Sequence, residues 1–170
     1  MTQQPHDEHD HGAFHAQAGT TPVRILVVCT GNSARSILGE AMFRHVGGEQ
    51  VEVHSAGTHP STVNPLAIRV LGEAGLPTDG LHSKSVTEFL GQQFDYVITV
   101  CDDARDACPV FPGVHETMHW SYPDPAKVEG TEEQRLAAFR SVFTGLGQRI
   151  HQFLPLAERY TATRRSVELA

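Results

Sequence analysis

Apolar positions along the chain alternate between short continuous runs and longer stretches spaced at three and four. Val23-Arg24-Ile25-Leu26-Val27-Val28 is rich in β-branched side chains, the pattern of a strand buried on both faces. The small-residue turn Cys29-Thr30-Gly31-Asn32-Ser33-Ala34-Arg35-Ser36 follows it. Ile37, Leu38, Ala41, Met42 and His45 then recur at helical spacing until Gly47-Gly48 stops the helix. Val51 to Ser55 alternates as a second strand, and Asn64 to Ala74 reads as a helix stopped by Gly75 and Pro77. Ser83 to Leu90 predicts a further helix with Ser83 or Ser85 near its cap. Phe94 to Val100 is a third strand, and Val114 to Trp120 a shorter fourth. Thr131-Glu132-Glu133-Gln134 fits a capping box. Behind it Leu136, Phe139, Phe143, Leu146, Ile150 and Phe153 mark an amphipathic helix, weakened by Gly145 and Gly147 and expected to end before Pro155. Strands alternating with helices imply a parallel sheet covered on both faces.

The ends of the chain do not share this pattern. Residues 1–21 are polar, lack periodicity and hold His6, His9, His11 and His15, which predicts a disordered tail. A weak metal-binding tract is the functional alternative for it. Residues 156–170 carry Arg159, Arg164 and Arg165 and read as a frayed C-terminal extension without an assigned role. The intervening residues 22–155 suffice for one domain. A net charge of −7 argues against a general nucleic-acid binder, which would present a basic face. No apolar run is long enough to span a membrane, and no apolar signal segment opens the chain, so a cytoplasmic protein is expected. Structural disulfides are rare in that compartment, which gives the three cysteines catalytic, redox or metal roles to weigh against inert burial.

Cys29 and Arg35 bracket five residues between a strand and a helix. In that setting the backbone N–H groups of Thr30, Gly31, Asn32, Ser33, Ala34 and Arg35 can converge on one anion at the positive end of the helix dipole. Arg35 adds a planar fork suited to two oxygens of a tetrahedral oxyanion. The same field favours a thiolate at Cys29, and Ser36 can donate a hydrogen bond to its sulfur. A nucleotide P-loop is disfavoured because the Lys-Ser/Thr ending is missing.

Val28 to Ser36, followed by Ser55-Ala56-Gly57, resembles the low-molecular-weight protein tyrosine phosphatases and the arsenate reductases that share their fold. The resemblance covers roughly Val23 to Leu154. It implies that Cys29 attacks a tetrahedral oxyanion or phosphoester held by the loop and Arg35. Cys101 follows the third strand and Cys108 lies seven residues on. Strand ends of a doubly wound sheet line one crevice, so Cys29 and Cys101 could approach one bound anion. Cys108, on a movable loop, could then take over the disulfide by thiol exchange. A zinc site is not expected, because there is no fourth cysteine and no histidine at finger spacing.

This layout is similar to the thioredoxin-coupled arsenate reductases. That resemblance implies an arseno-cysteine adduct on Cys29, attack by Cys101 with release of arsenite, and attack by Cys108 that leaves a Cys101–Cys108 disulfide. No tightly bound cofactor is implied, only an external thiol reductant: thioredoxin, with glutaredoxin or a low-molecular-weight thiol as alternatives. Phosphate and sulfate would compete with arsenate. In these families the candidate acid/base stands in an Asp-Pro, and Asp124-Pro125 matches it, against a simple turn aspartate as the alternative. Ala126 and Lys127 stand where tyrosine phosphatases carry aromatics that stack on the substrate ring. Some members bind potassium beside the loop; Asn32, Glu40 and Ser55 match, but the later acidic position falls on Ser85 with Lys84 beside it, so no metal is expected.

The resulting expectation is a three-layer α/β fold of the low-molecular-weight phosphatase type, with a four-stranded parallel sheet in the order 2-1-3-4 and helices on both faces. The expected function is arsenate reduction in arsenic detoxification. A phosphatase, and a non-enzymatic oxyanion or metal-binding protein, are the alternatives.

Overall fold

The computed structural model describes residues 21–113 and 115–170. The expected N-terminal tail, with its four histidines, lies outside the described residues apart from Thr21. Strands β1 (Val23–Cys29), β2 (Val51–Gly57), β3 (Tyr96–Thr99) and β4 (Glu116–His119) form one parallel sheet in the order β2-β1-β3-β4. The helices are α1 (Arg35–Gly47), α2 (Pro65–Glu73), α3 (Asp102–Ala107) and α4 (Glu132–Glu168).

Successive side chains of a strand point to opposite faces. Ile25, Leu26, Val27 and Val28 are all buried, so both faces of the central strand are covered. On one face Gly39 brings α1 close to Val27, where an added Cβ would lie 3.2 Å from a valine methyl. Phe43, Trp120 and Phe153 join α1, the end of β4 and α4, with ring centroids 5.2–6.2 Å apart. On the other face His54, paired in register with Leu26, meets Phe89 at 5.2 Å, and Phe94 meets Phe111 at 5.7 Å. The edge strand β4 is exposed and polar along Glu116 and Thr117, which discourages pairing with another chain.

Three sequence expectations need correction. The helix expected over Ser83–Leu90 is a single 3-10 turn, Val86–Phe89, capped by Ser85 with Glu88 closing the box. The backbone before it is committed to β2: Gly57 N donates to Lys84 O at 2.8 Å, and Ser85 bridges to Gly57. The movable loop expected to carry Cys108 is, over Asp102–Ala107, the short helix α3. Its first turn carries Asp102 and Asp103, which favour the positive helix end, and its one buried residue is Ala104.

Helix α4 does not end before Pro155; it continues to Glu168 with that proline inside. An interior proline removes a backbone hydrogen bond and costs about 3 kcal/mol. The continuation is held from beyond it. Ala157 and Thr161 are buried, and Arg164 and Arg165 both reach the buried carboxylate of Asp95. Asp95 Oδ2 also accepts from the backbone N–H of Arg24 at 2.8 Å, and Arg165 donates to Thr21 O and Pro22 O. Residues 156–168 therefore tie the start of β1 and the start of β3 to the last helix. Replacing Asp95 with Asn should lower stability by about 3 kcal/mol, the lower end for a broken buried pair because Arg165 remains partly exposed. Urea unfolding followed by circular dichroism measures it; a loss under 1 kcal/mol would contradict the role given to this cluster.

Candidate active site

Cys29 is the last residue of β1 and Arg35 the first of α1, so the five residues between them form the loop. The loop carbonyls face one neighbouring segment. Cys29 O accepts from Thr58 N at 3.1 Å, Thr30 O from His59 N at 2.8 Å, Gly31 O from Ser61 N at 2.9 Å, and Ser33 O from Asn64 N at 2.9 Å. Ser83 Oγ also donates to Gly31 O at 2.9 Å. A peptide plane holds its N–H opposite to its C=O. The N–H groups of Thr30, Gly31, Asn32 and Ala34 are thereby turned to the other side. The N-cap residue of α1, Ala34, provides no side-chain cap, which leaves the positive end of that helix open to an anion.

Asn32 fixes this shape. It has φ of 46°, alone among the described non-glycine residues in being positive, and its side chain is fully buried. Its Nδ2 donates to Ser36 Oγ at 2.8 Å and to Ser55 Oγ at 2.9 Å, while its Oδ1 accepts from Lys84 N at 2.8 Å. One amide thus joins the loop to α1, β2 and the 83–85 segment. Gly57 is required where β2 passes beneath: a Cβ there would lie 2.5 Å from Thr30 O and 2.9 Å from Asn32 N. The Ser55-Ala56-Gly57 triplet therefore has a packing reason for each end.

Cys29 is buried, and its Sγ lies 2.7 Å from Ser36 Oγ. Ser36 accepts from Asn32 and keeps its own hydrogen, so it can donate to a thiolate at Cys29. Arg35, mostly buried, donates from Nη1 to Tyr122 O at 3.0 Å, and its Nη2 lies 3.7 Å from Asp124 Oδ2. Asp124 has two engagements. Its Oδ1 accepts from Ala126 N and caps the turn Pro125–Lys127, while its other oxygen faces Arg35. The turn reading and the acid/base reading of Asp124 are both compatible with that placement.

Cys101 is buried just beyond β3, which is the strand next to β1; Val28 and Thr99 are in register. Its Sγ lies 3.3 Å from Thr30 Oγ1, so the loop touches the second thiol through a hydroxyl. That contact was not visible in the sequence, where Thr30 counted only as a backbone donor. Cys101 is the N-cap of α3 and Cys108 its C-cap. Cys108 is half-buried, and burial pushes its thiol pKa up. It lines a cavity of about 360 Å³ with Thr99, Phe111, Met118 and His119. All three cysteines are free.

Beside the loop, the buried Lys84 places Nζ 3.7 Å from Oε1 of the buried Glu40. Arg44 approaches the same oxygen at 3.7 Å, and Lys84 Nζ also donates to His82 O at 2.8 Å. Ser85, in the position matched to a metal-binding acid, is engaged as the cap of the 3-10 turn. Among the described residues, no group of three or more His, Cys, Asp or Glu side chains is placed to hold a metal ion.

The model of the low molecular weight phosphotyrosine protein phosphatase family matches residues 24–166. An arsenate reductase of Halalkalibacterium halodurans is 40% identical over 129 residues, which cover 76% of this chain and 93% of that protein. A solved arsenate reductase in its oxidized state is 25% identical, with a TM-score of 0.68 over 79% of this chain and 98% of the other. A thioredoxin-dependent arsenate reductase of Corynebacterium glutamicum is 29% identical, with a TM-score of 0.56 over 79% of this chain and 65% of that one. The loop from Cys29 to Arg35, on this sheet order and within that match, makes the chain a member of the low-molecular-weight phosphotyrosine protein phosphatase family.

Proposed function

We propose that this chain reduces arsenate to arsenite with the thiols of Cys29, Cys101 and Cys108. The observation that carries the reading is the placement of two further free thiols at the ends of α3, one of them touching the Cys29 loop through Thr30. The arsenate reductases among its relatives support the same reading.

In the proposed sequence the N–H groups of Thr30 to Arg35 and the Arg35 guanidinium hold arsenate. The Cys29 thiolate, with Ser36 donating to its sulfur, forms an As–S bond as one arsenate oxygen leaves as water. Asp124, facing Arg35, is placed to supply or accept a proton in that loss. Cys101 then attacks Cys29 Sγ. The As–S electron pair passes to arsenic, which leaves as arsenite, and a Cys29–Cys101 disulfide remains. Cys108 attacks Cys101 Sγ and frees the Cys29 thiolate. The two electrons given to arsenic are thus drawn from the Cys101 and Cys108 thiols, which end as one disulfide that an external reductant must open.

That last pairing requires motion. The two residues are separated by one short helix, about 10 Å at 1.5 Å per residue. A disulfide needs Cα atoms about 4.4–6.8 Å apart. Helix α3 must therefore unwind, and with Ala104 as its one buried residue it has little packing to lose. Thioredoxin is the proposed reductant, in keeping with the intramolecular disulfide product and with the thioredoxin-dependent relative. We place the chain in the cytoplasm, where such reductants act, and without a bound cofactor. No described helix is long and apolar enough to cross a membrane.

A phosphatase reading is favoured by one observation, the Asp124 carboxylate 3.7 Å from Arg35. It is opposed by Ala126 and Lys127, which give a substrate ring no aromatic surface. The coupled assay separates these readings. Arsenate-dependent NADPH oxidation with thioredoxin and thioredoxin reductase should occur with the parent and vanish in Cys29→Ser and Cys101→Ala. Cys101→Ala should keep any phosphatase activity, and Cys29→Ser should lose it. Turnover of Cys101→Ala at the parent rate would overturn the relay. Turnover only with glutathione and glutaredoxin would replace the reductant, and no turnover with either would favour simple oxyanion binding.

The loop is tested separately. Arg35→Lys keeps the charge and loses the fork, so affinity for phosphate or arsenate in calorimetry should fall at least about tenfold, a contact of about 1.5–3 kcal/mol. Gly57→Ala, which drives a methyl into Thr30 O and Asn32 N, should abolish oxyanion binding altogether. Parent-like affinity in either variant would place the anion elsewhere.

A further inference from the structure

The proposed relay asks for a helix that holds its thiols apart when reduced and releases them on oxidation, and β4 contains a device suited to this. His119, the last residue of β4, is in register with Thr99 on β3. Its Nδ1 lies 2.8 Å from Thr99 Oγ1 and its Nε2 2.8 Å from Oδ1 of Asp102, the first residue of α3. A carboxylate only accepts, so Nε2 carries the hydrogen and donates. In the neutral ring Nδ1 then accepts from the Thr99 hydroxyl. Ser121 Oγ donates to the same Asp102 oxygen at 3.3 Å. His119 is mostly buried, fixed at both ring nitrogens, and lines the cavity that receives Cys108. It therefore stands between the strand that carries Cys101 and the pocket that holds the third thiol.

We infer that the His119–Asp102 pair is a positioning latch of the reduced enzyme: it holds the first turn of α3 on the sheet edge and sets how readily the Cys101–Cys108 disulfide forms. The inference rests on the relay reading above. Asp102 follows Cys101 directly, and its carboxylate is aimed at His119 by the helical backbone of that turn. Unwinding α3 to bring Cys108 to Cys101 removes that aim. An interaction present in the dithiol state and absent in the disulfide state favours the dithiol by its own free energy. The bond from His119, with those from Ser121 and the nearby Arg105 charge, holds the Asp102 carboxyl below the usual aspartate range, as a charge-assisted contact should. Neither His119 nor Asp102 is needed to bind the oxyanion or to exchange a thiol, so both act through α3.

The test is the thiol–disulfide equilibrium of the full chain. Arsenate-oxidised parent is first mapped by peptide mass spectrometry for the Cys101–Cys108 pair. Parent, His119→Leu, Asp102→Ala and the double variant are then equilibrated in oxidised and reduced dithiothreitol and counted by alkylation. Loss of the latch should favour the disulfide. Because the Asp102 side chain is 65% exposed, the shift should be modest, about three- to tenfold in each single variant. At 29.6 mV per decade that is a potential lower by about 14–30 mV. The double variant should shift no further than the larger single, since both remove one interaction. A merely structural pair would lower the melting temperature of both redox forms equally and leave the equilibrium at the parent value. An equilibrium within the parent's error in His119→Leu and Asp102→Ala overturns the latch, as does a double variant equal to the sum of the singles. If His119→Leu does not fold, Asp102→Ala alone decides by the same criterion, because its side chain is exposed. If the parent forms no Cys101–Cys108 disulfide, the relay reading falls and the latch with it; if the disulfide forms and its potential is insensitive, only the latch falls.

Discussion

A single buried amide holds the candidate site together. Asn32 adopts a left-handed backbone conformation, uncommon outside glycine and tolerated by asparagine. Its side chain makes three hydrogen bonds in a place that water does not reach. An unpaired amide there would cost several kcal/mol, so the loop, Ser36, Ser55 and the 83–85 backbone must form together. The loop carbonyls can then meet the amides of residues 58–64, and their own amides turn to the side that faces the start of α1. The path of the loop follows from satisfying buried polar groups. Its field for an anion follows from that path.

The sheet supplies the second constraint. Parallel strands bring their C-terminal ends to one edge, and neighbours lie about 4.8 Å apart. Cys29 ends β1, and Cys101 stands two residues beyond the register partner of Val28. Two thiols distant in sequence thus share an edge without any dedicated contact between helices. The overall charge of −7 does not oppose an anionic substrate there, because the field at the loop is set by local dipoles and Arg35. The nearest buried carboxylate, Glu40, has Lys84 and Arg44 against it, so little of its charge reaches the loop.

The strand, turn and helix around Cys29 were legible because each pattern has a strong local cause: a doubly buried strand reads as a continuous apolar run, and a tight turn as small residues. Strand order was legible through the family resemblance, not through periodicity. Three segments misled for different physical reasons. Ser83 to Leu90 has helical spacing, but Gly57 and β2 take the backbone hydrogen bonds that a helix would need. Asp102 to Ala107 has no apolar face to announce a helix, and it forms one from its acidic first turn and its anchor at Asp102. Pro155 is a sound stop signal in isolation, overridden here by Arg164 and Arg165 reaching a carboxylate some seventy residues earlier. Contacts of that span leave no periodic trace. The same holds for Thr30 against Cys101 and for His119 against Asp102, pairs that exist only because β1, β3 and β4 are neighbours.

The distribution of packing across the site matches what the proposed chemistry would ask of it. Where an anion would be held, the structure is over-determined: Asn32, Ser36 and Ser55 are fully buried and bonded to one another, and Gly57 leaves no room for displacement. Where thiols would travel, it is sparse: α3 buries one alanine and is fastened at its start by polar contacts to an exposed carboxylate. A loop this rigid keeps its amides aimed without reorganising when charge shifts on the anion. A helix this weakly packed can open at low cost, and polar fastenings are easier to exchange with water than apolar packing is to rebuild. Both properties come from one feature of the fold. The loop ends the central strand β1 and has its carbonyls bonded into residues 58–64, whereas α3 follows β3 at the strand ends, meets β4 through the Asp102 carboxylate at His119, and has one alanine to bury.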